Sequence, residues 1–532
     1  MRRMMPWYGI IHHMEVTRRN FLAVGTGFSL AGCSCGQSPC RAARPPDAAR
    51  PESAPYHASP YHGGGQPPNL RVGILSDIHV TKRENATTFE KALRWFAEQG
   101  VDGVLITGDL GTKGTIDELE VVAETWYKVF PGDKDIHGRH VERLFLLGNH
   151  DVDGFVGKSS WPKGQIPSRE VAEKTCLAFH REETWKRLFG EEFRQIVIKQ
   201  VKGYTFVLNS WVSRALKEKD VLEEFWKEFA PTINPDMPFF YCQHPHPKDT
   251  CSAGYLLGGA FWHGGWDDGT STRLLSAHPN AIALSGHSHY PIDDERAIWQ
   301  GAFTSINCGC ARGFAFTFPG RENGHAVTDM KAKTVFQMPP IDIKRIRQGM
   351  LMEVFGDRVV FHRREFVYDQ VLGPDWVMPL GKGAARPYEF EPRRRASRPP
   401  QFAAGASVAV VERPDGRNRK GEACAQVVVS FPSAKGERVF DYEVSAEVRI
   451  ADFTRTVASK RVFSPDAFLG VAQDAGKVTC VFAKSELPLG REICFAVRPF
   501  NCWGKSGEPL FCKQKFAQRD VYRSNDERDR SS

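Results

Sequence analysis

The middle of the chain consists of short apolar runs separated by polar and helix-forming stretches, and this alternation constrains its fold more than any other feature. Each run has the length of a strand that is buried on both faces. The runs occupy Val72–Leu75, Gly103–Ile106, Leu144–Leu147, Thr205–Leu208, Pro238–Tyr241 and Ala281–Leu284. Between the first two, Thr88–Gln99 has helical periodicity, and Gly100 follows as a stop signal. Strands that alternate with helices predict an α/β fold.

Polar clusters follow most of these runs, just beyond the predicted strand ends. They are Asp77-Ile78-His79, Gly108-Asp109, Gly148-Asn149-His150-Asp151, His244 and Gly286-His287-Ser288-His289. Taken singly, each is more typical of a surface or turn residue. Together they offer carboxylates, an amide and imidazoles, and loops at the carboxyl ends of strands converge in one crevice. The sequence therefore predicts one shared site with metal ligands.

Length and composition indicate more than one folded domain. A chain of 532 residues exceeds the ~250 to ~300 residues at which single cores stop growing. Hydrophobic content of 41% and charged content of 25% are ordinary for a globular protein, which excludes disorder as the main state. Beyond residue 387 the periodicity changes to two, with Gly and Pro turns between the runs, which predicts an all-β domain.

The first residues have the pattern of an export signal. Thr17–Leu22, with Arg18-Arg19, resembles a twin-arginine signal, and the apolar run behind it is too short for a mature membrane helix. The run ends in Leu30-Ala31-Gly32-Cys33, which is similar to a bacterial lipobox. The prediction is lipidation at Cys33 and an exported protein, periplasmic or at the cell surface, anchored to a membrane. The alternative is a frayed terminus with an accidental apolar run.

Net charge and cysteine content say little about binding partners and cellular compartment. A net charge of +8 is mild for this length, and the one tight basic run, Arg393–Arg395, lies in a Pro-rich stretch typical of a solvated linker. No nucleic-acid partner is expected. Thirteen cysteines agree with an oxidising compartment, but their connectivity cannot be read from the sequence.

The polar clusters resemble the calcineurin-like metallophosphoesterase superfamily, whose pattern is DxH, GD, GNH[DE], a lone H and GHxH. The motifs cover residues 71–289 of this chain, and the resemblance implies a two-sheet α/β sandwich that extends to about residue 380. It also implies two metal sites. Asp77, His79 and His289 would hold one ion, Asn149, His244 and His287 the other, and Asp109 would bridge them.

The predicted donors suit two divalent or trivalent ions of manganese, iron or zinc, among which the ligand types do not discriminate. Two such cations lower the pKa of a shared water and yield a bridging hydroxide for attack on phosphorus. The resemblance assigns His150 to the substrate side, where it protonates the leaving oxygen or stabilises the transition state. Asp151 either orients the His150 ring or caps the backbone.

Two departures from the family pattern narrow the range of subfamilies, and so of substrate classes, that the chain resembles. Thr112 stands where protein Ser/Thr phosphatases have a second Asp, and the Tyr that purple acid phosphatases place three residues after Asp109 is missing. Both classes are therefore disfavoured. Trp211 and Arg273 are candidates for substrate binding, although a loop Trp also serves to cover a core edge. His246 is a weaker candidate for an additional ligand.

The C-terminal region resembles a fibronectin type III sandwich over residues 490–509, with Ile493 where that family usually has its corner Tyr. The predicted organisation is an α/β sandwich metallophosphoesterase core joined to a C-terminal all-β sandwich domain. Its segments are an export signal at 1–33, a flexible tether at 34–69, the phosphoesterase domain at 70–382, a linker at 383–400, the β-sandwich at 401–518 and a disordered tail at 519–532.

The predicted function is hydrolysis of phosphate esters, with a preference for phosphodiesters. One alternative is a phosphomonoesterase or nucleotidase that scavenges phosphate, which differs in the pocket around the leaving group. A second alternative is a surface lipoprotein that binds its ligand without turnover. The sequence favours catalysis over binding, because His150 adds a proton donor that a pure binder does not need.

Overall fold

The computed structural model describes residues 66–156, 161, 165–211, 218–251, 267–312, 335–337, 346–417, 422–436, 439–464 and 476–517. The predicted export signal, Cys33, most of the tether and the C-terminal tail lie outside these ranges. The described residues from Pro67 onward belong to one compact unit. None of the helices in the described part of the chain is long and apolar enough to span a membrane.

The strands are numbered in chain order. They are β1 (Leu70–Leu75), β2 (Gly103–Thr107), β3 (Glu142–Leu146), β4 (Ile196–Val201), β5 (Tyr204–Asn209), β6 (Phe239–Gln243), β7 (Ala281–Ser285), β8 (Ile298–Gln300), β9 (Thr304–Asn307), β10 (Val335–Gln337), β11 (Gln348–Val354), β12 (Arg358–Glu365), β13 (Gln370–Val371), β14 (Trp376–Pro379), β15 (Ala409–Arg413), β16 (Gln426–Phe431), β17 (Val439–Ile450), β18 (Phe453–Phe463), β19 (Val478–Ala483), β20 (Glu492–Asn501) and β21 (Leu510–Lys515).

The α-helices of the described ranges are numbered in the same way. They are α1 (Thr87–Glu98), α2 (Ile116–Val129), α3 (Asn149–Asp153), α4 (Arg169–Thr175), α5 (Leu177–Phe189), α6 (Glu218–Phe229), α7 (Thr270–Leu275) and α8 (Phe390–Ala396). The apolar runs predicted as strands correspond to β1, β2, β3, β5, β6 and β7, and the predicted helix corresponds to α1.

Two mixed sheets form the α/β part of the molecule. The first has the order β13-β12-β11-β1-β2-β3, with β14 paired to β12, and its strands β1, β2 and β3 are parallel. The second has the order β4-β5-β6-β7-β9-β8, and its strands β5, β6, β7 and β9 are parallel. Parallel strands place their carboxyl ends at one edge of a sheet.

Side-chain packing stacks these sheets between two layers of helices. Leu105 of β2 and Leu144 of β3 share a buried cluster with Phe206 and Phe240 of the second sheet, so this core lies between the sheets. A second cluster packs α1, α2 and α5 on the outer face of the first sheet. A third packs α6 and α7 on the outer face of the second sheet. The predicted two-sheet α/β sandwich is confirmed.

The C-terminal region is built of antiparallel sheets, as predicted. One sheet has the order β10-β18-β17-β20-β21 and the other has the order β15-β16-β19. Val429, Val444, Phe482 and Phe495 belong to a buried cluster between them. The edge strand β10 is an exception, because it comes from the middle of the chain and pairs in parallel with β18.

The predicted linker is an ordered contact between the two parts of the molecule. It contains α8, and Arg393 on this helix is 14% exposed and pairs with Glu295 at 2.9 Å. The guanidinium of Arg393 also lies 4.6 Å from the ring centre of Trp503 in the C-terminal region. The interpretation of this basic run as solvated is therefore wrong for Arg393, because an arginine with a planar charged group packs on an aromatic ring while it is ion-paired.

A buried histidine makes the stability of the first sheet depend on pH. His362 on β12 lies 3.0 Å from a carboxylate oxygen of Glu353 and 3.0 Å from one of Asp375. Burial alone would lower the pKa of His362, but the hydrogen bonds and charges of the two carboxylates outweigh burial and raise this pKa to about 9. The charged ring stabilises the fold fully below about pH 6.5, and this stabilisation is lost as the pH rises through about 9.

We predict that His362→Gln lowers the free energy of unfolding by about 2 to 3 kcal/mol at about pH 6, and by much less above pH ~9.5. Urea unfolding of the wild type and the variant across this pH range measures the difference. A difference that stays constant with pH would contradict the proposed ionisation.

Candidate metal centre

The predicted ligands come from the carboxyl ends of parallel strands in both sheets. Asp77 and His79 follow β1, Asp109 follows β2, and Asn149 opens α3 after β3. His244 follows β6, and the pair His287 and His289 follows β7. Because the two sheets stack with these ends on the same side, side chains far apart in sequence meet in one place.

The first group of donors consists of Asp77, His79, Asp109 and His289, whose ligand atoms all lie within 4.8 Å of one another. His289 Nε2 is 3.0 Å from His79 Nε2 and 3.0 Å from Asp77 Oδ1. Asp109 Oδ2 is 3.6 Å from His79 Nε2. Three of these residues are buried and His289 is nearly so.

The second group consists of Asp109, His244 and His287, whose ligand atoms also lie within 4.8 Å of one another. His244 Nε2 is 3.2 Å from Asp109 Oδ2 and 3.2 Å from His287 Nδ1. The side-chain oxygen of Asn149 is 3.1 Å from His244 Nε2. All seven predicted ligands therefore converge, and Asp109 belongs to both groups.

This arrangement fits a pair of metal ions. Nitrogen and oxygen ligands lie ~2.0 to ~2.2 Å from a transition-metal ion, so donors that share one ion are roughly 3 Å apart. Asp77 Oδ1, which belongs to the first group, is buried and accepts no hydrogen bond from the described residues, so a cation at this position would compensate it. Mixed carboxylate and imidazole donors suit manganese, iron or zinc.

Left-handed backbone conformations concentrate at the candidate ligands. Positive φ angles occur at Asp77 (51°), His79 (46°), Asp109 (54°), His287 (66°) and His289 (51°). Non-glycine residues seldom adopt this region, and each costs of order ~1 kcal/mol or more. Such strain persists only where surrounding structure over-determines it, and it is common at functional sites.

Glycines beside the ligands allow the loops to approach each other. A Cβ at Gly108 would lie 2.6 Å from His244 Nδ1, and the φ of Gly108 is +93°. A Cβ at Gly286 would overlap the hydroxyl of Ser76 and lie 2.5 Å from Asp77 Oδ2. The glycines of the GD and GHxH motifs therefore make room for ligands carried by other strands.

The carboxylates create a field that favours positive charge. Burial opposes protonation of His244, but the charge of Asp109 and its hydrogen bond, with Asp77 adding to them, raise the pKa of His244 to about 9. For Asp109, burial acts to raise the pKa, and the charges of His244 and His150 outweigh it and hold the pKa well below its usual value. The site thus stabilises anionic carboxylates next to cations.

Backbone carbonyls set the tautomers of two rings. His244 Nδ1 lies 2.7 Å from the carbonyl oxygen of Thr107, and His150 Nδ1 lies 2.7 Å from that of Thr112. A carbonyl only accepts, so Nδ1 carries the proton in both rings and Nε2 offers the lone pair of the neutral ring. His244 therefore presents Nε2 to the donor cluster.

Asp151 ties two motif loops together. Its carboxylate accepts hydrogen bonds from the backbone N–H groups of Leu110 (3.1 Å), Gly111 (2.7 Å) and Gly148 (2.8 Å). The sequence left two roles for Asp151, which were orienting the His150 ring and capping the backbone. These hydrogen bonds correspond to backbone capping, because the carbonyl of Thr112 holds the His150 ring instead. Burial and the charge of Asp109 raise the pKa of Asp151 to about 8, while the backbone donors act in the opposite direction.

Among the described residues, the two donor groups do not include the remaining candidates. Trp211 is 5% exposed in the core beneath the first sheet's helices, and its indole N–H donates to Asp153 at 2.9 Å. This position matches the covering of a core edge. Arg273 on α7 is ion-paired with Glu223 at the surface. His246 bonds to the hydroxyls of Ser285 and Ser288. The substrate-binding roles of Trp211 and Arg273 stay predictions.

The segment after β9 contributes two residues that lie outside the five motifs. Cys310 is buried, and its thiol lies 3.6 Å from the carbonyl oxygen of Asp77. Arg312 lies 3.2 Å from the hydroxyl of Thr112. Because β9 is parallel to β7, its carboxyl end reaches the same edge of the sheet. The other clusters were found because polar residues follow predicted strands. The same reasoning would have pointed to Cys310 and Arg312 if Thr304–Asn307 had been predicted as a strand.

The loop with His287 and His289 is anchored on the C-terminal region. Tyr290 O–H donates to Asp294 at 3.1 Å, and the guanidinium of Arg296 donates to the Tyr290 oxygen at 2.7 Å. Arg296 is 3% exposed, and its guanidinium carbon lies 4.5 Å from the ring centre of Phe440 at the start of β17. The buried guanidinium of Arg296 thus connects a ligand loop to the second part of the chain through its contact with an aromatic ring.

An α/β sandwich with carboxylate and imidazole donors gathered at its strand ends defines a candidate metal centre. Residues 70–291 match the family model of the calcineurin-like phosphoesterases. Over these residues the chain is therefore similar to the calcineurin-like phosphoesterases. No curated protein matches the chain.

The solved structures that are similar to part of the chain include two at 12% sequence identity. The first is a conserved uncharacterized protein from Streptococcus pneumoniae, described as a predicted phosphoesterase; the match covers 58% of this chain and 97% of that one, with a TM-score of 0.27. The second is GAP50, described as the anchor in the inner membrane complex of Plasmodium; the match covers 59% of this chain and 89% of that one, with a TM-score of 0.32.

We predict that Gly286→Ala lowers the affinity for metal about 10- to 100-fold, because the new methyl group displaces Asp77 from the cluster. Metal content after dialysis against a limiting metal buffer, measured by plasma mass spectrometry, tests this. Gly356→Ala is the matched control, since a Cβ there meets nothing within 4 Å. Equal metal content in the two variants would contradict the role of Gly286.

Proposed function

We propose that this chain is a dinuclear metal-dependent phosphodiesterase that acts outside the cytoplasm, anchored through lipid on Cys33. The observation that carries the catalytic part is the position of Asp109, whose carboxylate belongs to both donor groups at once. A carboxylate shared in this way holds two cations close enough to act on one substrate.

Two cations at these donors would supply an activated water and offset charge on the phosphoryl oxygens. The protein's part is to hold the donors rigidly. The strained loops, the carbonyl behind His244 and the three backbone bonds to Asp151 fix the cluster before substrate arrives. Preorganised donors of this kind need no rearrangement during reaction.

His150 is the proposed proton donor to the leaving oxygen. Its backbone N–H donates to Asp109 Oδ1 at 2.8 Å, and its ring lies 4.8 Å from that of His79, centre to centre. The ring is half-buried, so it borders the site and also reaches solvent. With Nδ1 committed to Thr112, Nε2 is the atom through which the ring exchanges a proton with the substrate.

Support for a diester substrate comes from the family comparison of motifs. Thr112 replaces the second Asp of protein phosphatases, and its hydroxyl donates to the backbone carbonyl of His79 at 3.2 Å, so it acts within the loop structure. The Tyr of purple acid phosphatases is also missing. Export rests on the N-terminal sequence pattern, and the fibronectin-like character of the C-terminal sheets rests on the strand pattern of residues 490–509.

The reaction is tested with a soluble form that begins after the tether and is loaded with Mn²⁺. We predict a higher kcat/KM on bis(4-nitrophenyl) phosphate than on 4-nitrophenyl phosphate, and loss of both activities together with metal in Asp109→Asn. A dominant monoester rate would indicate the phosphate-scavenging alternative. Absence of any metal-dependent rate would contradict the proposed catalysis and favour a binding protein.

We predict that His150→Ala lowers kcat by about 10² to about 10⁴ while the metal content stays at the wild-type value. Steady-state rates and plasma mass spectrometry on the same samples measure both quantities. A wild-type kcat in this variant would show that the proton comes from elsewhere. Loss of metal in parallel with activity would instead make the residue part of the metal centre.

A further inference from the structure

A cationic side chain borders the site beside His150 and has no role in the scheme above. The guanidinium of Arg312 donates to the hydroxyl of Thr112 at 3.2 Å. The carbonyl of the same threonine holds His150 Nδ1 at 2.7 Å. One residue therefore positions the proposed proton donor and the arginine together, so both lie on the same side of the metal centre.

Arg312 is available to a ligand. Its side chain is exposed, and within the described ranges no carboxylate forms an ion pair with it. It also lies close to the metal centre, because the Thr112 hydroxyl that accepts its hydrogen bond is itself 3.2 Å from the backbone carbonyl oxygen of His79. An unpaired guanidinium beside a site for metal cations is electrostatically unfavourable until an anion joins it.

The loop that carries Thr112 is rigid enough to define this position. Glu118 is buried, and its carboxylate accepts the backbone N–H groups of Thr112 (3.1 Å), Lys113 (2.8 Å) and Gly114 (3.0 Å). The next side chain in the loop, Lys113, places its ammonium 4.7 Å from the ring centre of Trp161. The loop next to Thr112 therefore carries a second cation.

We propose that Arg312 binds a second anionic group on the leaving-group side of the substrate. The inference rests on the proposed function, because His150 marks the leaving group. It specifies the substrate class as phosphate esters or anhydrides whose leaving group carries another phosphoryl group near the scissile bond. A guanidinium fork matches two phosphoryl oxygens, so a second phosphoryl group is the anion that it recognises best.

The first test measures binding rather than turnover. Calorimetry on the Mn²⁺-loaded protein compares methylphosphonate, which has one phosphoryl group, with methylenediphosphonate, which has two. We expect Arg312→Gln to weaken binding of the diphosphonate about 10- to 100-fold and to change binding of methylphosphonate less than about twofold. Metal content after each titration shows whether the diphosphonate has removed the ions.

Matched variants separate recognition from general effects of charge. Arg449→Gln removes one exposed guanidinium from β17 in the C-terminal sheet, and we expect it to bind both phosphonates like the wild type. Arg312→Lys keeps the positive charge but lacks the planar guanidinium. Its affinity for the diphosphonate should therefore lie between the affinities of the wild type and of Arg312→Gln.

Three results would overturn the proposal. Equal weakening of both phosphonates would place Arg312 on the transferred phosphoryl group or make its role structural. Unchanged binding of both would remove it from the site. Wild-type protein that binds the diphosphonate no more tightly than methylphosphonate would show that no second subsite exists.

A kinetic comparison distinguishes this proposal from the proposed function. If the wild type hydrolyses a chromogenic diester, the catalytic function stands whatever the phosphonates show. If it does not, the phosphonate titrations still decide whether Arg312 forms an anion subsite.

Discussion

The carboxylates of Asp77 and Asp109 are buried among four imidazoles, and the rest of the site depends on how that burial is compensated. An isolated buried carboxylate costs several kcal/mol unless it is paired or coordinates a metal. The two are 0% and 1% exposed. Because Asp109 is close to donors of both groups, cations placed there would compensate both carboxylates. The same charge balance explains why the pKa of His244 rises to about 9.

The fold holds this cluster through contacts that come from every layer. The two sheets deliver the donors, and glycines let the loops close. Backbone carbonyls orient His244 and His150, and Asp151 fastens the loops after β2 and β3 to each other. The C-terminal sheets contribute as well, since Phe440 covers Arg296 behind the loop of His287 and His289. The second region is therefore part of the support of the metal centre rather than only an appendage.

The strands and the convergence of the candidate ligands were predictable, because each strand and each motif is a short local pattern in the sequence. A continuous apolar run followed by Asp77 or His244 marks both a buried strand and the loop at its end. The strand β12 and its neighbour β11 were not predicted, because they contain charged residues, such as Glu353 and Arg363, that find partners only in the folded state. The position of Arg393 and the contact of Arg312 with Thr112 also depend on tertiary structure, which periodicity does not record.

The central claim is that one carboxylate joins two metal sites. Anomalous diffraction from crystals grown with Mn²⁺, collected on both sides of the manganese edge, tests it most directly. The account predicts two anomalous peaks ~3 to ~4 Å apart, with Asp109 Oδ2 between them and His289 and His244 on opposite sides. A single peak, or two peaks that do not share Asp109, would contradict it.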